Sequence, residues 1–186
     1  MKRRTVIGLC VYLSASASSP YAQTLLLNGD FEAGDRGWSA WSRTKEVTRA
    51  VSPDAHGGGR CVMMCVSNGN VATLSQRLPA LAPGPYRLSG WVRTEGASSA
   101  HLKLESDSGA LGATAVVSGT HKWKRITATI PCRTETAIVR CVLMKEGAAW
   151  FDDLSFAPAD VSGELSLEGP WRFAPTWDEE FVAAYF

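Results

Sequence analysis

The sequence predicts an all-β protein, a sandwich or a barrel, on three observations. No window after residue 22 sustains a helical period. Short alternating apolar and polar runs recur from "VTRAVS" (47–52) to "AWFDDLSF" (149–156). Turn-rich pieces separate these runs about every 8–12 residues, which is the rhythm of a β-sandwich or closed barrel.

The chain opens with "MKRRTVIGLCVYLSASASSPYAQ". Lys2, Arg3 and Arg4 form a basic start, Val6 to Leu13 an apolar run, and small residues suited to a signal peptidase follow. The pattern is that of a cleavable secretory signal over residues 1–22, and the apolar run is too short for a membrane span of about 20 residues. The expected localisation is secreted, extracellular or periplasmic.

Residues 23–157 carry the predicted strands. After "VTRAVS" come "CVMMCVS" (61–67), "ATLSQRL" (72–78), "YRLSGWVRT" (86–94), "HLKLES" (101–106), "ATAVVS" (113–118), "WKRITATI" (123–130), "AIVRCVL" (137–143) and "AWFDDLSF". The pieces between them, "PDAHGGGR", "SNGN", "LAPGP", "EGASS" and "DSGALG", read as turns. Residues 158–186 begin as a linker, and "LEGPWRF" then reads as the first strand of a following domain that stops early.

Composition narrows the function. The formal net charge is +1 with scattered basic residues, so neither a nucleic-acid footprint nor a basic membrane face is expected. Without the signal, Cys61, Cys65, Cys132 and Cys141 remain. Cys61 and Cys65 lie too far apart along one strand to bond each other. Four cysteines allow three connectivities, and the expectation is a Cys132–Cys141 bridge or none. No nucleophile elbow, zinc-protease motif or phosphate loop occurs, and His56, His101 and His121 stand apart in sequence. No catalytic residue is expected.

Four motifs occur in one order: "LLLNGDFEAGDRGW" (25–38), "LAPGPYRLSGWVRT" (81–94), "GTHKWKRITATI" (119–130) and "WFDDLSF" (150–156). Together they resemble the carbohydrate-binding modules of the xylan- and glucan-binding type. The resemblance covers residues 25–156 and implies a galactose-binding-like jelly roll appended to a secreted glycoside hydrolase. It also implies a structural calcium where the first and last strands meet, held by Glu32, Asp152 and the glycine-rich loop from Asp54 to Arg60. Calcium accepts 6–8 oxygens, so two carboxylates, loop carbonyls and water would suffice. Asp152 could instead pair with Arg60 or accept backbone N–H bonds.

Sugar rings stack on aromatic side chains and exchange hydrogen bonds at their rims. Among the seven tryptophans, Trp38, Trp91 and Trp123 fall where the resemblance places core aromatics, as does Tyr86. Trp41 and Trp150 remain for a ligand. Arg43, Arg49, His101 and Glu105 are the polar candidates, and His101, Lys103 and Glu105 share one face of a strand.

The expected function is a non-catalytic carbohydrate-binding module. It tethers a polysaccharide-degrading enzyme, its catalytic domain further along the same polypeptide, to a polysaccharide or oligosaccharide. Two rivals are a structural or interaction β-sandwich without sugar binding and the extracellular input domain of a sensor protein.

Overall fold

The computed structural model describes residues 24–44, 47–133 and 136–159. The expected signal (1–22) and the expected start of a following domain lie outside them. Among the described residues every regular element is a strand: β1 (Ser39–Ser42), β2 (Val47–Ser52), β3 (Cys61–Leu78), β4 (Gly84–Ser106), β5 (Gly109–Ala113), β6 (Val117–Cys132) and β7 (Ala137–Pro158). All pairings are antiparallel. The all-β expectation holds.

Three strands are far longer than the sequence runs suggest, and each serves two sheets. The first half of β3 pairs with β2 and with Gly147–Phe151 of β7, while its second half pairs with β1 and with Ala137–Lys145. Likewise β4 pairs first with β6 and the end of β7, then with β5 and the start of β7. One sheet thus runs β2-β3-β7-β4-β6 and the other β1-β3-β7-β4-β5, folded over each other along a common bend.

"SNGN" and "EGASS", expected as turns, are therefore bends inside β3 and β4. The register shifts between Val66 and Asn70, and β4 skips pairs around Gly96. Residues at positive φ mark all three bends: Asn68 and Gly69 in β3, Gly96 in β4, Lys145 and Gly147 in β7. Such residues let a strand kink without reversing, as at a bulge. At Gly147 a Cβ would collide with the carbonyl oxygen of Gly96, so two bends touch backbone to backbone.

The core lies between the two halves. Val62, Met64, Leu74, Leu88, Val92, Leu102, Leu104, Val139, Leu143 and Phe151 are all essentially buried. Leu102 and Leu104 alternate with partly exposed neighbours, as period-2 geometry requires, whereas Phe151 lies in a stretch of β7 that is buried on both faces. Phe31, fully buried, packs on Trp38 with ring centroids 5.3 Å apart. Burying such a side chain contributes about 1.5–3 kcal/mol. Gln76 docks this N-terminal segment by accepting from Leu27 N (2.8 Å) and donating to Leu27 O (2.9 Å) and Gly37 O (3.2 Å).

Two aromatic expectations need correction. Trp38 and Tyr86 are buried, but Trp91 and Trp123 are only half-buried on the outer face. Val92 takes the core side of β4, so alternation sends Trp91 outward, where His56 stacks on it at 3.7 Å. The expected Cys132–Cys141 bridge is not formed, and Cys61, Cys65 and Cys141 are free thiols. Burial, with the nearby Asp152 charge adding, pushes the Cys61 thiol up to about 11, so it stays protonated and inert.

Candidate functional site

Acidic residues from the two ends of the β-rich region engage one and the same loop. Leu25 N donates to Phe156 O (2.7 Å) and Leu154 N to Gly29 O (2.8 Å), tying the ends together. Between them lies the loop 53–60. Glu32 Oε1 accepts from the amides of Gly59 (2.7 Å) and Arg60 (3.0 Å). Asp152, fully buried, accepts at Oδ2 from the amides of His56 (2.7 Å) and Gly57 (3.1 Å), and at Oδ1 from Asp153 N (2.8 Å). Asp153 in turn meets His56 Nδ1 at 2.7 Å.

This arrangement does not fit calcium as the resemblance implied it. The loop turns its N–H groups toward the carboxylates, whereas a cation needs its carbonyl oxygens. Asp54 lies apart, 3.6 Å from the Arg93 guanidinium. No three acidic, histidine or cysteine side chains converge as a metal set among the described residues. Burial pushes the Asp152 carboxyl up, and the amides of Gly57, Asp153 and His56 offset only part of that shift.

The second feature is a groove of about 560 Å³ on the outer face of the β1-β3-β7-β4 sheet. Its floor follows from register. Trp41 stands opposite Thr73, Thr73 opposite Val142, and Val142 opposite His101, one row across four adjacent strands. At about 4.8 Å per strand the row spans roughly 14 Å. The inward neighbours Leu74, Leu143 and Leu102 fill the core, so alternation obliges the row to face out. Trp41 is 56% exposed at one end. Thr73 Oγ1 is buried in the floor and has no hydrogen-bond partner among the described residues.

Charges line the next row. Lys103 and Arg140 are register partners, and both grip Glu105, Lys103 Nζ at Oε1 and Arg140 Nε at Oε2, each at 2.5 Å. Burial alone would raise the Glu105 carboxyl. The hydrogen bonds and charges of Lys103 and Arg140 outweigh it and hold the group below its ordinary value. Burial, reinforced by the Lys103 charge, lowers His101, leaving its ring neutral at pH 7. Arg43 continues the β1 pairing through its amide to Val71 O (3.1 Å), and its side chain borders the groove.

Trp41, Arg43, His101 and Glu105, the sequence candidates, therefore line one groove. Arg49 does not. It borders a smaller pocket of about 160 Å³ on the other side of Trp41, and its guanidinium sits 3.8 Å from Asp35. Trp150 is buried beneath Arg93, whose guanidinium carbon lies 4.3 Å from the ring. The sequence reading missed Thr73, Arg140, Val142 and Met144. Their alternation was visible, but not that β3 and β7 lie between β1 and β4.

Among the described residues Glu105 is the only carboxylate lining the groove, and both its oxygens are engaged. Glycoside hydrolysis needs two carboxyl groups across a cleft, one of them with a raised pKa.

No protein-family model and no curated protein matches the sequence. Solved structures do match the fold. TmCBM61, in complex with β-1,4-galactotriose, shares 22% identity at a TM-score of 0.61, over 74% of this chain and 100% of that one. The xylan-binding CBM22-1 domain of Xyn10C from Paenibacillus barcinonensis shares 17% identity at 0.55, over 77% and 100%. A cyclase from Fischerella sp. TAU shares 17% at 0.57, over 75% and 100%. One architecture thus serves binding modules and an enzyme, and function must be argued from the groove. The resemblance read from the four motifs holds in three dimensions: this chain has the jelly-roll fold of the carbohydrate-binding modules.

Proposed function

We propose that this chain is a non-catalytic carbohydrate-binding module whose groove holds a short oligosaccharide stretch. The row Trp41–Thr73–Val142–His101 carries the proposal. It supplies an exposed indole for a sugar face, an apolar floor, and an unpartnered hydroxyl with a neutral imidazole for ring hydroxyls. The volume falls within the range of about 300–1,000 Å³ usual for small-ligand sites.

The module is secreted and tethers a polysaccharide-degrading catalytic domain of the same polypeptide to its glycan. Such tethering raises local substrate concentration without adding contacts at the catalytic centre. The test is retention on a panel of insoluble polysaccharides. Wild type is retained, and Trp41→Ala and Thr73→Val weaken retention while melting as wild type does. A wild-type protein retained on no glycan leaves a structural β-sandwich as the better reading.

A further inference from the structure

We infer that the groove selects an acidic glycan, one whose residues carry hexuronate carboxylates, over a neutral one. This rests on the glycan reading of the same groove and names its ligand class. Among the described lining residues, Arg43, Lys103 and Arg140 stand against the one carboxylate of Glu105, a formal excess of two positive charges, His101 being neutral.

Glu105 positions the cations. Because its two oxygens are divided between Lys103 and Arg140, the two cationic side chains are fixed beside the floor row before any ligand arrives. The side chains of Lys103 and Arg140 are 32% and 26% exposed, enough to meet a ligand yet partly shielded from solvent. With both oxygens spent, Glu105 is a poor acceptor for sugar hydroxyls. Arg43 has no side-chain ion-pair partner among the described residues and stands near Trp41 at the open end. A guanidinium fork beside a stacking indole matches a planar carboxylate borne on a sugar ring. Arg43, exposed and without an ion-pair partner among the described residues, gains one from a hexuronate and none from a neutral sugar.

Calorimetric titration with oligogalacturonate and with its fully methyl-esterified form tests this, since the two probes share a backbone and differ in charge. The free acid binds about tenfold tighter or more at low salt, and the ratio shrinks toward physiological salt as screening takes hold. Arg43→Gln and Lys103→Gln each pull the ratio toward one. Equal or tighter binding of the ester overturns the inference and leaves the glycan reading standing. A ratio that survives both substitutions also overturns it, placing the effect elsewhere, as on the exposed Lys122, Lys124 and Arg125 of β6. Failure of both probes and of every neutral glycan sinks the groove reading and this inference together.

Discussion

Replacing Asp152 by Asn isolates what closes the sandwich. The carboxylate is fully buried and accepts three backbone amides, two at Oδ2 and one at Oδ1. An Asn side chain has one acceptor oxygen. Turned toward His56 and Gly57, it leaves its NH2 facing the amide of Asp153, donor against donor. At least one charge-assisted bond is lost and one buried N–H is stranded, a cost of about 1–3 kcal/mol, moderated because ionised Asp152 itself bears a burial penalty. For a domain this size, about 2 kcal/mol lowers Tm by about 6–10 °C. Scanning calorimetry with and without chelator reads it. We expect the substituted protein to melt lower and the wild-type melt to ignore the chelator. A wild-type Tm that falls on chelation by as much as the substitution lowers it would refute the argument and make calcium the closing element. So would a variant melting within about 1 °C of wild type, since the calculated loss is several times larger.

Other perturbations probe different levels. Gly147→Ala, at φ +100° with the Gly96 carbonyl in the way, destabilises by more than about 2 kcal/mol, read as a shifted denaturant midpoint. An unchanged midpoint means the bends do not touch. Gly58→Ala, whose Cβ meets Glu32 Oε1 at φ +62°, disturbs the staple and lowers Tm without altering glycan retention. The lowered His101 predicts a pH dependence: the unfolded chain takes up a proton near pH 6.5 that the folded ring resists, so stability rises as pH increases to that value. His101→Gln flattens this slope, and an unaltered slope removes His101 as its source. Glu105, held below its ordinary value, contributes stability above about pH 4.5 that is lost as pH falls further, and Glu105→Gln removes this lower limb.

The strand content and the core were legible in the sequence because burial imposes a period of two. Leu102 and Leu104 alternate with His101, Lys103 and Glu105, and alternation alone assigns them inward. The acidic ends were legible too, since a buried Asp152 must have a partner. What satisfied it was not. Amide donors and cation ligands ask for the same carboxylates in the sequence, and only the way the loop 53–60 turns its N–H groups distinguishes them.

The sequence by itself determined an all-β chain, its core side, and a set of polar and aromatic residues free to face outward. Tertiary structure decided which of those outward residues meet. "SNGN" and "EGASS" hold residues suited to either a reversal or a bend, because local φ preferences are the same in both. Only pairing with β7 turns them into bends. Those bends place β3 and β7 between β1 and β4, and so set Trp41, Thr73, Val142 and His101 in one row. Strand order is a property of long-range pairing, and no stretch of chain carries it alone.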